Sequence, residues 1–161
     1  MKRKNSGFTL VELMLVVWIL ATVMTGMIQL FIYTSVQAQM AGNKTRAISE
    51  AQNKIEEIRN HSYSTIATDY ASGGTPGNIF TPTMPNSKGV IYLDTTGSFS
   101  PGSSSELIGI KVVVSWRDKY NRIVGEDKDL DGVFDAGEDL SGGVANQLDS
   151  PASLISMITR R

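Results

Sequence analysis

Apolar side chains fill almost every position between Phe8 and Tyr33. As an α-helix, the stretch from Leu13 to Tyr33 would be about 31 Å long, which matches the hydrocarbon thickness of a bilayer. The segment in front of it, residues 2–4, consists of basic residues, and the positive-inside rule keeps such a flank in the cytoplasm. The pattern therefore predicts one membrane span, with the N-terminus cytoplasmic and everything after Tyr33 on the other side.

Hydrophobic residues continue at helical spacing beyond the span. They recur at steps of three, four and seven, at Val36, Met40, Ile48, Ala51, Ile55 and Ile58. No proline precedes Pro76, and Glu50 and Lys54 form an i,i+4 pair in the favoured orientation. We therefore predict one helix over residues 8–59, with a membrane half at 8–34 and an amphipathic half at 35–59.

The remaining residues, 60–161, alternate between turn-rich segments and short β patterns. More than half of residues 71–106 are Gly, Pro, Ser or Thr, with candidate strands at 78–81 and 89–94. From Ile108 to Trp116 apolar residues occupy every second position, which is typical of a half-buried strand. Further strands are predicted at 122–124 and 153–159. The fold class expected is α+β, a small antiparallel sheet laid on the amphipathic half of the helix.

Composition limits the function classes. A formal net charge of −1 excludes a basic nucleic-acid binder, and the absence of cysteine excludes disulfides and thiolate metal sites. The lone histidine, His61, has no catalytic partner in the sequence and is expected to face solvent near the helix end. No nucleophile-elbow, phosphate-loop or zinc-protease motif occurs, so no enzymatic activity is predicted.

One acidic segment, residues 127–138, carries the spacing D-x-D-x-D-G-x5-E of a calcium loop. The predicted oxygen ligands are those of Asp127, Asp129, Asp131, Val133 through its carbonyl, Asp135 and Glu138. Five carboxylates within twelve residues repel one another unless a hard dication binds them. Because no amphipathic exit helix follows, we expect a structural calcium clamp inserted in the sheet rather than a switch. The alternative is a solvated acidic turn.

The segment from Lys2 to Leu13, with Gly-Phe-Thr-Leu-Val-Glu at its centre, resembles the prepilin leader of type IV pilins, minor pilins and the pseudopilins of type II secretion. The resemblance implies that residues 1–7 are a leader, that prepilin peptidase cuts between Gly7 and Phe8, and that the new amine of Phe8 is N-methylated. Glu12 corresponds to the family's glutamate within the apolar stretch. Cleavage would leave 12 basic against 16 acidic residues, a formal charge of −4.

Glu12 is also an ionisable residue within an apolar segment. A carboxylate at the edge of a hydrocarbon region is costly unless it is paired. The Phe8 amine of a neighbouring subunit could neutralise Glu12 and set the axial step between subunits. The alternative is a capping box, since Thr9-Leu-Val-Glu12 fits S/T-x-x-E before an apolar run.

The function expected from the resemblance is that of a minor pilin or pseudopilin, a structural subunit of a type IV pilus or a related type II secretion filament. Its partners would be prepilin peptidase, other pilin or pseudopilin subunits and the inner-membrane assembly platform. Its location would be the bacterial inner membrane, then the periplasm or an extracellular filament. A membrane-tethered calcium-binding or adhesive module that never polymerises is the competing hypothesis.

Overall fold

The computed structural model describes residues 8–95, 106–138 and 146–160. In chain order these form two helices, α1 (Leu10–Arg59) and α2 (Tyr63–Asp69), followed by five strands. The strands are β1 (Ile79–Phe80), β2 (Ser87–Asp94), β3 (Leu107–Arg117), β4 (Ile123–Val124) and β5 (Ser153–Thr159). The predicted α+β class, a long N-terminal helix with a small antiparallel sheet, is confirmed.

The chain divides into two compact units, residues 1–41 and residues 42–161. The described part of the first unit is the N-terminal part of α1 with Phe8 and Thr9 ahead of it, and its large apolar side chains are exposed. An 18-residue window of this helix has a mean hydropathy of 2.2, and none of that window is buried. By length and composition α1 could therefore cross a membrane.

Helix α1 begins two residues later than the sequence predicts, at Leu10 instead of residue 8. The reason is a cap: the hydroxyl oxygen of Thr9 accepts a hydrogen bond from the backbone N–H of Glu12 at 3.3 Å. Thr9 is thus the N-cap residue, and its side chain satisfies one of the N–H groups that a helix start leaves without a partner. Phe8, directly ahead of Thr9, is outside the helix.

The second unit is built on an antiparallel sheet with β3, its longest strand, at the centre. Strand β2 pairs with β3 along its whole length, from Ser87 opposite Trp116 to Asp94 opposite Gly109. On the other edge of β3, β5 pairs with residues 107–113 and β4 with residues 116–117. Strand β1 extends the sheet beyond β2. All these pairings among the described residues are antiparallel, as expected.

One face of the sheet forms the core with α1 and α2. Helix α1 contributes Ala47, Ala51, Ile55 and Ile58, which recur at helical spacing and are buried. The small alanines allow close approach, while Ile66 and Tyr70 of the α2 region close the cluster. The even-numbered residues of β3, from Ile108 to Trp116, pack against them. Residues 42–59 of α1 thus do pack on the sheet, as the amphipathic pattern predicts.

The prediction that β3 is only half-buried is wrong, because its odd-numbered face is covered as well. Lys111, Val113 and Ser115 are 6 %, 1 % and 2 % exposed. Gly125 lies so close over Ser115 that a Cβ at Gly125 would collide with the Ser115 hydroxyl. Next to it, Ser150 Oγ donates a hydrogen bond to the Val114 carbonyl oxygen at 2.6 Å. The segments that follow β4 and precede β5 therefore form a second layer.

Candidate functional site

The predicted processing site lies at the start of the described chain. Gly7 and the leader, residues 1–7, are outside the described residues, whereas Phe8 is 77 % exposed and stands just before the helix. Glu12 is exposed on the first turn of α1. The cap by Thr9 supplies the backbone half of the predicted capping box. That bond uses the backbone N–H of Glu12 and does not involve its carboxylate.

The acidic loop, residues 127–138, leaves the sheet after β4 and precedes β5, where the sequence predicts it to be inserted. Within the described residues, a group of three acids gathers there: carboxylate oxygens of Asp127, Asp129 and Asp131 all lie within 4.8 Å of one another. Asp127 is 1 % exposed, while the other two face solvent. These are the carboxylates predicted for positions 1, 3 and 5.

Backbone N–H groups fix the turn that brings the three acids together. Asp127 Oδ2 accepts from the N–H of Gly132 at 3.1 Å, and Asp131 Oδ1 accepts from the N–H of Val133 at 2.7 Å. Gly132 has φ +84° and packs against Ile79, so a side chain would be strained and obstructed there. Leu130 also has a positive φ, +63°. The sharp turn that the motif assigns to Gly132 is therefore present.

Glu138, the predicted closing ligand, lies at the far end of the loop and is 4 % exposed. Its Oε1 accepts from the N–H of Lys128 at 2.7 Å, and its Oε2 accepts from the N–H of Asp135 at 3.0 Å. Glu138 thus ties the loop's two ends together, and it is not in the group of three that shares the 4.8 Å spacing. Asp135 is exposed and outside that group too. Residues 139–145, where no exit helix was expected, are outside the described residues.

Burial makes the carboxyl of Asp127 a weaker acid than an ordinary aspartate. Desolvation by burial and, to a smaller extent, the neighbouring Glu138 carboxylate raise the pKa of its carboxyl to about 6. Hydrogen bonds from the N–H groups of Leu130, Gly132 and Asp131 act in the opposite direction. A buried carboxylate beside a second one is stabilised by any cation that binds both. The loop therefore has the charge and the oxygen atoms that a hard dication requires.

A second polar cluster, which sequence reasoning missed, supports this loop from the covered face of the sheet. Lys111 of β3 is buried, with its Nζ 3.8 Å from Asp149 Oδ1 and 5.9 Å from the ring centre of Tyr92. Burial raises the pKa of the Tyr92 hydroxyl, and the carboxylates of Asp127, Glu138 and Glu126 raise it further. The available signal was Lys111 itself, a lysine in the middle of an otherwise apolar strand.

His61 lies where the sequence predicts, exposed just beyond the end of α1. Its Nδ1 is 3.9 Å from Asp69 Oδ2, and its ring stands edge-on to Tyr70 with centroids 5.1 Å apart. Burial and the Glu57 carboxylate raise the pKa of Tyr70 to about 12, so its hydroxyl stays neutral at physiological pH. The geometry around His61 is that of helix-end packing.

Residues 2–28 match the family described as the prokaryotic N-terminal methylation motif. The match covers Gly7, Phe8 and Glu12, and it supports a type IV pilin-like family of structural proteins. No curated protein and no solved structure matches the chain. The N-terminal segment is therefore of the prepilin type, which prepilin peptidase processes, and it leads into a helix that could anchor the protein in a membrane.

Proposed function

We propose that this protein is a minor pilin or pseudopilin, a structural subunit of a type IV pilus or a related type II secretion filament. The observation that carries the proposal is the continuity between the methylation motif and α1: the motif spans residues 2–28, and α1 runs from Leu10 into the core of a β head. This arrangement suits a subunit held by its helix in the inner membrane and then in a filament core.

Assembly depends on Glu12 in this proposal. Its exposed carboxylate lies four residues after Phe8, whose amine becomes free when the leader is removed. In an apolar environment each of the two opposite charges is costly unless it is paired, and the Phe8 amine of a neighbouring subunit at a fixed axial step can pair with Glu12. Pairing between Glu12 and the Phe8 amine of a neighbour therefore sets the register of the helices, and the assembly platform supplies each subunit in turn.

The head carries a calcium clamp in the same proposal. Asp127, Asp129 and Asp131 supply carboxylate oxygens, Val133 its carbonyl, and Asp135 and Glu138 complete the set as the loop closes. The close grouping of the first three and the burial of Asp127 and Glu138 support this assignment. Calcium would neutralise the loop and brace a small head in a chain without cysteine.

Intact-mass analysis of protein extracted from membranes tests the proposal. We expect loss of Met1 to Gly7 and the addition of one methyl group at Phe8. A Gly7→Trp substitution should leave the precursor uncut, whereas the matched Gly42→Trp, at an exposed position with open space around it, should be processed normally. Normal maturation of Gly7→Trp would contradict the prepilin assignment.

Shearing of cells separates a filament subunit from a tethered surface module. The processed protein should appear in the sheared fraction together with other filament subunits. If the mature protein is processed but stays entirely with the membranes in a strain that makes filaments, the non-polymerising calcium-binding or adhesive module is the better assignment.

A further inference from the structure

The turn between β3 and β4 carries an exposed aromatic ring surrounded by cations. Tyr120 is 52 % exposed, with Lys119 Nζ at 5.0 Å and Arg122 Cζ at 5.9 Å from its ring centre. Arg117, at the end of β3, donates a hydrogen bond from Nη1 to Asn121 Oδ1 at 2.9 Å. We call Arg46, Arg117, Lys119, Tyr120 and Arg122 the hairpin patch.

The single acid of this turn, Asp118, does not offset the charge of the patch at the surface. Its carboxylate is buried, and its Oδ1 accepts from the N–H of Tyr120 at 2.8 Å and of Arg122 at 3.0 Å. Its Oδ2 accepts from the Arg122 guanidinium at 2.9 and 3.0 Å. Asp118 thus fixes the turn from inside and neutralises one cation, and a net positive charge faces solvent.

Helix α1 adds a further cation to the patch across an open groove of about 240 Å³. Five lining residues have side chains that can donate hydrogen bonds, namely Asn43, Arg46, Asn86, Arg117 and Lys119. The groove is also lined by Asp118, whose carboxylate is paired with Arg122. In the part of the chain that the structure describes, Arg46 and Lys119 form no salt bridge with an acidic side chain. Cations and amides around a groove are suited to a phosphate group, whose oxygens accept several hydrogen bonds.

The position of the patch along the chain identifies the source of that phosphate. Between Glu12 and Glu50 there is no acidic residue, and the first charges after the apolar stretch are Lys44 and Arg46. Residues 34–45 separate the span from Arg46, about 18 Å along a helix, and helical side chains lean toward the N-terminus, which is the side of the span. Headgroups extend roughly 5–8 Å beyond the hydrocarbon on each side of a bilayer, and a charge acts over a further Debye length of about 8 Å. A tilt of the helix would only shorten the distance.

We propose that the hairpin patch binds the phosphate groups of anionic phospholipids on the membrane surface from which the head emerges. The proposal rests on the membrane anchorage of the proposed function. The ring of Tyr120 suits the interfacial layer, where aromatic residues with a polar tip are enriched, and the long arginine and lysine side chains reach the headgroups while their stems stay on the protein. Lipid binding would hold the head at the surface until the subunit is extracted into a filament.

The chain has no cysteine, so a single Ser49→Cys gives a unique attachment point for a fluorophore. Ser49 is exposed, one helical turn from Arg46. The labelled full-length protein is reconstituted in phosphatidylcholine vesicles with or without phosphatidylglycerol, together with a lipid that carries a quenching spin label on its headgroup. We expect quenching to increase several-fold when phosphatidylglycerol is present, and the increase to disappear in high salt.

Charge reversals at matched positions locate the effect. Lys119→Glu and Arg46→Glu should each remove most of the phosphatidylglycerol-dependent quenching, whereas Arg160→Glu, an equal charge change at an exposed residue beyond β5, should leave it intact. The proposal would be overturned if quenching were equal in the two lipid mixtures. It would also be overturned if Arg160→Glu lost as much of the phosphatidylglycerol-dependent quenching as Lys119→Glu and Arg46→Glu.

Two other binding partners of the hairpin patch would give different experimental results. If Lys119→Glu abolishes cross-linking between subunits in phosphatidylcholine alone, the patch is a contact with a second copy, and the lipid proposal is wrong. If a DNA oligonucleotide abolishes the phosphatidylglycerol-dependent quenching at physiological salt, the patch is a nucleic-acid site, and the proposal is again wrong. Co-flotation with phosphatidylcholine vesicles tests anchorage separately: a protein that floats but shows no lipid preference refutes this inference alone, and one that does not float refutes both.

Discussion

Glu126 and Asp149 hold each other by two hydrogen bonds. The N–H of Glu126 donates to the carbonyl oxygen of Asp149 at 2.9 Å, and the N–H of Asp149 donates to Glu126 Oε2, also at 2.9 Å. Glu126 directly precedes the first predicted calcium ligand, and Asp149 leads into β5. A cation in the loop would therefore stabilise the edge of the sheet as well as the loop itself.

Calcium should raise the thermal stability of the head in the full-length protein held in detergent. A ligand that binds only the folded state adds about 2.7 kcal/mol at a hundredfold excess over its Kd. Extracellular calcium modules have Kd values of about 10⁻⁴ to 10⁻³ M, so a hundredfold excess requires about 10 to 100 mM calcium. Near-ultraviolet circular dichroism, which reports the buried Trp116, measures the transition.

Glu138→Gln should remove the calcium effect and change the metal-free stability little, because it relieves carboxylate crowding and keeps an oxygen that accepts a backbone hydrogen bond. Asp127→Ala should remove the calcium effect too, but it should also lower the metal-free stability, because the N–H of Gly132 loses its buried acceptor. Asp69→Asn, which removes an acid far from the loop in sequence, should keep the full effect. Magnesium should do less, since it prefers a smaller octahedral shell. A flat calcium titration of a folded head would mean that the segment is a solvated acidic turn.

The assembly role of Glu12 should separate from its capping role by substitution. In Glu12→Val, and equally in Glu12→Gln, the helix still inserts and is processed, but the Phe8 amine of a neighbour loses its charged partner. We expect the protein to remain in the membrane fraction and to be absent from sheared filaments. Immunoblots of the two fractions measure this distribution.

Thr9→Ala is the matched control, because it removes the hydroxyl that caps α1 and keeps the Glu12 carboxylate. Its expected cost is about 1 kcal/mol in local helix stability, with filament entry retained. Normal filament entry of Glu12→Val would show that pairing between Glu12 and the Phe8 amine is not needed for assembly.

The β3–β4 turn should weaken in acid. Hydrogen bonds from the backbone N–H and guanidinium of Arg122 and from the N–H of Tyr120 lower the pKa of Asp118 below its ordinary value of 3.8. A depressed pKa in the folded state stabilises the fold above the unfolded-state value and loses that effect as pH falls through the folded-state value. The contribution of Asp118 should therefore be constant at neutral pH and decline below about pH 4.

Comparison of the wild type with Asp118→Asn by chemical denaturation between pH 7 and pH 3 measures this contribution. The stability difference between them should shrink as the pH falls. A difference that stays constant over this range would show that the charge of Asp118 is not involved.

Packing between α1 and the sheet should not tolerate a larger residue at Ala51, which is 0 % exposed within the core. Ala51→Leu adds three carbon atoms to a filled space, and overpacking of this kind costs typically 1–3 kcal/mol. The neighbouring Gln52→Leu places the same side chain on the exposed face and should change stability by less than about 0.5 kcal/mol. Urea denaturation of both variants decides the matter.

The sequence predicted the elements with strong periodicity and missed those set by tertiary contacts. Strand β5 lies over residues 153–159 as predicted, and the end of α1 at Arg59 was also correct. Helix α2, by contrast, has only seven residues and two buried anchors, Ile66 and Tyr70, which is too short for a periodic signal. The burial of both faces of β3 depends on segments distant in sequence, so no local pattern reveals it.

The ion pairing of Lys54 likewise depends on residues that are distant in sequence. The sequence predicts a pair with Glu50, but Lys54 Nζ lies 2.7 Å from Glu57 instead. The aromatic rings of Tyr70 and Phe80 draw the ammonium to that side, with ring centres at 5.8 and 5.3 Å. The sharp turn of the acidic loop was easier to predict, because its spacing and its glycine are local. Its buried neighbours Lys111 and Tyr92 come from other strands and only the fold brings them to the loop.

The buried strip of α1 also has a mechanical consequence. Ala47, Ala51, Ile55 and Ile58 are the residues through which this helix is held in the head core. Tension on the N-terminal part of α1 loads these contacts together with the hydrogen bond from Arg59 Nη2 to Ser156 Oγ. Because the buried residues belong to a single packed cluster, the helix would leave the core in one cooperative step, and the head would stay tethered through the chain that continues beyond Arg59.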